Sequence, residues 1–280
     1  MERGGCPDRR VWAGPAVSGS VPGMRAAYDA SARAWADGPS RAYEAMSEEL
    51  VAAAPRSVVG ARVLDLGAGT GAASRAAARA GAAWVVGVDA APMMLAAGSG
   101  WAAAVAADAA LLPFTAGAFD LVVAACCLGH LPDPVAALRQ VRRVAPAVIA
   151  SAFLAGWTHP AKAVVDDVAR QFGFVAPPWY SQLKAVVEPG VDDPDKLAAL
   201  ARAAGFTRVE VGVHDVDVKV SGPDELARWR LGMAHLAPFV AALDPGRRGQ
   251  LVTACQRALA GAPPLLVPLV ILAASDPADR

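Results

Sequence analysis

The stretch Val63-Leu64-Asp65-Leu66-Gly67-Ala68-Gly69-Thr70-Gly71 holds the residue types best suited to chemistry in this chain. A strand that runs into glycines at the start of a helix presents bare backbone. With no Cβ in the way, a ligand can approach it closely. Read loosely, Gly67, Gly69 and Ala72 also satisfy the G-x-G-x-x-G/A dinucleotide fingerprint, a pattern that by itself decides little. Asp65, just before the first glycine, is the discriminator. A pyrophosphate bound here would sit near a carboxylate, and like charges disfavour that arrangement. A ligand that carries an ammonium and a sulfonium is attracted instead.

S-adenosylmethionine is such a ligand: it has the adenosine of a dinucleotide and no phosphate. Two further acids suit its other end. Asp89 closes the next strand, where one carboxylate can take both ribose hydroxyls. Asp108 follows the strand after that, where it can accept from the adenine amine while the N–H of Ala109 faces a ring nitrogen. Acids at three successive strand ends would line one crevice at the carboxyl edge of a sheet. Asp108 taken alone could equally be a turn or capping aspartate. For all three together with the glycine turn, that reading is improbable.

The elements that must position these acids alternate. Strands are expected at 62–66, 84–88, 102–106, 119–125 and 147–153, with helices between them, the first of which stops at Gly81. Near-continuous apolar strands that alternate with helices specify a parallel sheet covered on both faces. Before them, residues 25–54 read as two helices punctuated by Gly38-Pro39. After them the pattern breaks into an aromatic-rich segment, 157–192. A helix at 196–204, a strand at 206–213, helical segments over 223–260 and an apolar strand at 265–273 follow.

With these motifs in view, the chain resembles the class I S-adenosylmethionine-dependent methyltransferases, in the branch of the quinone-biosynthesis and small-molecule enzymes. The resemblance runs through the 63–71 turn, Gly87-Val88-Asp89 with Pro92-Met93-Met94-Leu95, and Ala107-Asp108 with Leu112-Pro113-Phe114. It continues through Phe119-Asp120-Leu121-Val122-Val123 and His130-Leu131-Pro132-Asp133-Pro134. It implies an α/β, Rossmann-like, doubly wound and mostly parallel seven-stranded sheet whose last strand is antiparallel, with helical cap and lid insertions. It also implies that Asp65, Gly67 and Gly69 face the methionine part, Asp89 the ribose, Met94 the adenine face, and Asp108 with Ala109 the adenine edge. Cys126 would lie near the methyl donor, and Tyr28 of the N-terminal cap would reach the cofactor. Two departures stand out. Gly129 occupies a position where this branch often has histidine, and Ala145-Pro146-Ala147 replaces the usual Pro-Gly-Gly, so that connection should be tighter.

The organisation expected is a disordered leader over 1–23, a helical cap over 24–60 and a methyltransferase domain over 61–280. Within that domain, 157–192 is an aromatic lid and 221–262 a helical insertion before the last strand. Met24 is a candidate start.

Methyl transfer from a sulfonium is an in-line displacement that cancels charge, so the main requirement is to hold the reactants close, aligned and dry. A base is needed only where the acceptor arrives protonated, and histidine suits neutral pH. His130, just past the fourth strand, and His159, at the opening of the lid, are the candidate catalytic residues; loop anchoring is the competing role. His214 and His235 are expected to be structural or exposed. Trp157, Phe172, Phe174, Trp179 and Tyr180 are either packing anchors or the wall of a lid that grips a small apolar or aromatic acceptor. A nicotinamide-dependent oxidoreductase and a non-catalytic S-adenosylmethionine-binding protein remain the alternatives. Asp65 weighs against the first, and the intact cofactor residues against the second.

Composition narrows the partners. Twenty-six basic and 26 acidic side chains leave no net charge, and no Lys/Arg run builds a phosphate-neutralising surface, so nucleic acid is not expected as a partner. The apolar 265–274 stretch is too short to span a bilayer and contains Pro268, so no membrane is expected either, and the cytoplasm is the default location. Four cysteines without a C-x-x-C pair offer neither a disulfide scaffold nor a metal site. Cys126 and Cys127 read as buried, and Cys6 falls in the leader.

Overall fold

The computed structural model describes residues 11–13 and 21–277, with side chains from residue 21 onward. Eight strands form one sheet: β1 (Val11–Ala13), β2 (Arg62–Leu66), β3 (Trp84–Asp89), β4 (Ala103–Ala106), β5 (Leu121–Ala124), β6 (Ala147–Phe153), β7 (Arg208–Asp217) and β8 (Leu266–Ser275). Their order across the sheet is β1-β4-β3-β2-β5-β6-β8-β7. All neighbours are parallel except that β8 runs antiparallel to both β6 and β7. The seven strands β2 to β8 therefore make the expected mostly parallel sheet with its last strand reversed.

The eighth strand departs from expectation. Val11–Ala13 lies inside the expected disordered leader, yet it pairs in parallel with β4. An outer strand such as β4 offers a row of backbone groups with which a passing segment can pair whatever its side chains. The rest of 1–20, including Cys6, lies outside the described residues.

The eleven helices among the described residues are α1 (Met24–Asp37), α2 (Pro39–Ala52), α3 (Ala72–Arg79), α4 (Pro92–Ala97), α5 (Pro134–Val144), α6 (Pro160–Gln171), α7 (Pro178–Gln182), α8 (Pro194–Ala203), α9 (Gly222–Leu231), α10 (Ala237–Ala242) and α11 (Pro245–Ala258). None of the described helices is long and apolar enough to cross a membrane. The strand period of two divides the core. Val63, Leu121, Val123 and Ile149 pack on one face with Met46 and Leu50 of α2 and with α3, α6, α9 and α11. Leu64, Leu66, Val122 and Val148 pack on the other with Leu138 and Val141 of α5 and Leu197 of α8. Both faces are covered, which explains why the central strands are almost continuously apolar.

Local chemistry sets the helix ends. Asp133 caps α5 by accepting from Ala136 N–H at 2.9 Å, with Pro134 in the first helical position. Only Ala145 and Pro146 separate α5 from β6, the tight connection expected without a Pro-Gly-Gly turn. The fourth expected strand is shorter than the apolar run: Phe119 turns out of the sheet to pack edge-on against Phe114 at 5.0 Å between ring centres.

Candidate active site

The chain leaves β2 for β3 and β4 on one side, then returns to place β5 on the other side of β2. At that reversal the loops that leave the strand ends diverge and open a crevice at the carboxyl edge. Two turns form its floor. Gly67, at φ +69°, lies so close to the turn after β5 that a Cβ there would stand 2.6 Å from Cys127 Sγ. Gly71, at φ +89°, lies where a Cβ would meet the Ser99 carbonyl oxygen at 1.9 Å. Both positions demand glycine on conformation and on space. Opposite them, Cys126 takes a left-handed φ of +50°, rare for a residue with a side chain. Its N–H donates to Ser151 Oγ at 3.1 Å, which helps to hold the turn.

The crevice is a cleft of about 250 Å3. Tyr28, Asp65, Gly67, Gly69, Asp89, Met94, Asp108, Ala109, Cys126 and His130 all line it. Asp89 accepts from Gly69 N–H through one carboxylate oxygen and from Ala91 N–H through the other, both at 2.8 Å. It thereby ties the glycine turn to the end of β3. Burial pushes its carboxyl above the ordinary range, against the pull of those backbone donors. Asp108 makes an aspartate turn to Ala110 N–H at 2.9 Å.

Asp65 is 1% exposed. Ser74 Oγ donates to its Oδ2 at 2.6 Å, while Oδ1 is buried without a partner among the described residues. Burial, outweighing the Ser74 hydrogen bonds, pushes its carboxyl up to about 7. A buried acceptor left open beside a cleft is one that a ligand's cationic donor can satisfy.

His130 sits in the short helical turn Leu128–His130 after β5. Its Nδ1 lies 3.1 Å from the Cys126 carbonyl oxygen, and its Nε2 lies 2.9 Å from Tyr28 Oη on α1. A carbonyl only accepts, so Nδ1 carries the proton and Nε2 of the neutral ring accepts from the phenol. Burial holds the imidazole below its usual value and the Tyr28 phenol well above its own. At Gly129 beside it, a Cβ would stand 3.1 Å from Val191 Cγ2, so a side chain there would require that neighbour to shift.

A second cavity, of about 330 Å3, shares Tyr28, Tyr43 and His130 with the cleft. Two files of aromatic rings diverge from Tyr28. One runs through Trp35, Tyr43 and Phe153 to Trp157, at 5.5, 5.0, 6.4 and 5.3 Å between successive ring centres. The other runs through Trp179 and Tyr180 to His235, which stacks on Tyr180 at 3.9 Å. The aromatic segment thus divides by role. Trp157, Trp179 and Tyr180 line the cavity. Phe172 and Phe174 pack into the core, Phe174 against Phe239 at 5.4 Å.

The structure places His159 at a helix start. It caps α6, where Nδ1 accepts from Ala161 N–H at 3.2 Å, and it is buried and lines neither cavity. It lies one residue ahead of the Pro160 that opens the helix, a position in which a side-chain acceptor satisfies a free backbone donor. His214 pairs with Glu49 at 2.8 Å, half-exposed. His235 is buried, its Nε2 has no partner among the described residues, and it lines the second cavity. Lys162, Arg230 and Trp229 line that cavity too. No motif in the sequence pointed to any of these three, because their elements meet only on folding.

Residues 64–146, from β2 to the end of α5, match the methyltransferase domain family. A demethylmenaquinone methyltransferase of Mycolicibacterium vanbaalenii is 34% identical over 129 residues, 46% of this chain and 54% of that protein. A protein of Anabaena variabilis, described provisionally as a methyltransferase from an antibiotic biosynthesis pathway, shares the fold with a TM-score of 0.54 at 14% identity. That match covers 81% of this chain and 95% of that one. Phosphoethanolamine N-methyltransferase 2 of Haemonchus contortus, solved with S-adenosyl-L-methionine, gives a TM-score of 0.51 at 20% identity over 83% of this chain and 52% of its own. The chain spans about half the length of the curated relative and of the nematode enzyme. The cleft offers a partner for an ammonium in the open Asp65 oxygen, and the Arg25 in its lining stands 3.9 Å from Asp29.

Proposed function

We propose that this chain transfers the methyl group of S-adenosylmethionine to an oxygen, nitrogen or carbon of a small apolar or aromatic metabolite. The observation that carries this reading is the junction at Tyr28, Tyr43 and His130, where a cofactor-sized cleft meets an aromatic cavity. Asp65, Gly67 and Gly69 hold the methionine end. Asp89 takes the ribose hydroxyls, Met94 packs on the adenine face, and Asp108 with Ala109 meets its edge. Cys126 borders the donor methyl, and Tyr28 closes the cleft towards the acceptor.

Bound there, the cofactor supplies an electrophilic methyl on a sulfonium. The chain's own part is to align the acceptor, exclude water and receive a proton where the acceptor carries one. His130 is suited to receive that proton. Its neutral ring presents the Nε2 lone pair at the junction, with Tyr28 Oη occupying it until an acceptor hydroxyl or amine displaces the phenol. His159 has no part in this reading.

The test is incubation of the protein with methyl-labelled S-adenosylmethionine and cell extract, followed by mass spectrometry for metabolites that gain one methyl. Labelled product and S-adenosylhomocysteine are expected. Tight S-adenosylhomocysteine binding with no transfer to any component would make this a binding protein. Binding of NADH without S-adenosylhomocysteine would make it an oxidoreductase.

A further inference from the structure

The aromatic cavity contains charge, and among the described residues all of it is balanced except at one place. Lys184 pairs with Glu188 at 2.6 Å, Arg230 with Asp166 at 2.6 Å, and Asp192 with Lys196 at 2.8 Å. Lys162, on the first turn of α6, forms no ion pair among the described residues. Its ammonium rests instead over the Trp157 ring, 3.5 Å from the ring centre, at the end of the aromatic file that begins at Tyr28. A ring face is a weak partner for a lysine removed from water. His235 Nε2, buried on the stacked Tyr180–His235 pair in the same cavity, also has no hydrogen-bond partner among the described residues.

We propose that the second cavity selects methyl acceptors that carry a carboxylate on a flat aromatic body, the carboxylate pairing with Lys162 while the ring lies between the two aromatic files. This rests on the reading that the cavity receives the acceptor, and it adds the acceptor's chemical class. Among the described lysine and arginine groups facing the cavity, only Lys162 lacks a carboxylate, so an incoming anion completes a set that is otherwise complete. Burial, with Lys184 and Arg230 nearby and opposed by Glu188 and Asp166, pushes the Lys162 ammonium down to about 7. A bound carboxylate would restore its charge. The volume of about 330 Å3 suits a body of one or two rings.

The experiment is calorimetry on the full chain, with and without saturating S-adenosylhomocysteine. The probes are 4-hydroxybenzoate and 4-hydroxyphenylacetate, each beside its primary amide, with tyramine as the cationic control. At least one acid is expected to bind about tenfold or more tightly than its amide, the scale of a charge-assisted hydrogen bond. Lys162→Met should abolish that preference and Lys162→Arg should keep it. Equal binding of acids and amides, tighter binding of tyramine, binding by no probe, or a preference that survives Lys162→Met would each overturn the proposal. Failure of S-adenosylhomocysteine to bind would instead strike the cofactor reading, and the acid preference is read separately from it.

Discussion

Tyr28 Oη and His130 Nε2 stand 2.9 Å apart, one on the first helix after the described N-terminal strand, the other on the turn after β5. The contact has a direction. The Cys126 carbonyl accepts from His130 Nδ1, so Nε2 accepts from the phenol. An imidazole lone pair is thereby held at the junction of the two cavities, covered by a group that a protic acceptor can replace.

His130→Ala should lower kcat by about 10²- to 10⁴-fold on an acceptor that is protonated at neutral pH, with S-adenosylhomocysteine affinity retained. Tyr28→Phe should leave Nε2 uncovered and act more on KM. Because burial holds the His130 imidazole below its usual 6.5, its base form is present at neutral pH and is lost on acidification. The rate should therefore fall only below that range, and His130→Ala should remove this limb of the pH profile. Steady-state kinetics from pH 5 to 8 test both; an unchanged acid limb in the alanine variant would sink the base assignment.

Asp65→Asn should weaken cofactor binding and strengthen the free protein. The Asp65 carboxyl stands at about 7 in the fold against 3.8 for the ordinary group. The folded chain thus holds that proton more tightly than the unfolded chain. Its contribution to stability is fully present below the ordinary carboxylate value and is lost as pH rises through about 7. A cation bound beside Asp65 favours the ionised form, so S-adenosylhomocysteine affinity should rise by about tenfold between pH 6 and pH 8. In Asp65→Asn that slope should vanish, and the apo thermal midpoint at pH 8 should increase. Calorimetry and thermal melts decide; a pH slope that persists in the variant would remove Asp65 from the site.

Asp89→Ala should cost at least about 100-fold in S-adenosylhomocysteine affinity. The substitution removes the proposed ribose acceptor and also frees the Gly69 and Ala91 N–H groups that the carboxylate holds at 2.8 Å. Unchanged affinity by calorimetry would mean that the ribose lies elsewhere.

Gly71→Ala and Gly69→Ala should fail in different ways. At Gly71 the added Cβ meets backbone, the Ser99 carbonyl oxygen at 1.9 Å, so the turn itself must move and stability should fall by more than about 1 kcal/mol. At Gly69 the nearest atom is Met94 Cε at 3.5 Å, an ordinary contact. That variant should fold, with the smaller cost of a left-handed alanine, and lose cofactor affinity because its methyl projects into the cleft. Chemical denaturation and calorimetry, run side by side, separate the two.

The parallel core was legible because its causes are local. Apolar runs at 62–66, 84–88 and 147–153, separated by helical periods and glycine stops, leave little choice but a covered sheet. Asp65, Asp89 and Asp108, at the ends of the strands at 62–66, 84–88 and 102–106, were legible for the same reason: a strand end is a position in sequence as well as in space. The strand at 11–13 was not legible, since three residues among glycines and prolines carry no periodicity, and pairing with the β4 edge is a tertiary event.

What the sequence determined by itself was the cleft. One short glycine turn and three aspartates at successive strand ends lie on elements whose order is fixed by the chain, so their convergence follows from the sheet. What only the tertiary structure decided was the neighbouring cavity. His159 and Lys162 lie three residues apart, yet a capping geometry takes the first out of contact with either cavity, and the helix period turns the second over Trp157. Tyr28 and His130 have no sequence relation at all, and their hydrogen bond exists because α1 packs against α4, α2 and α10. Side-chain direction and the meeting of distant elements are set by packing, and no local pattern encodes them.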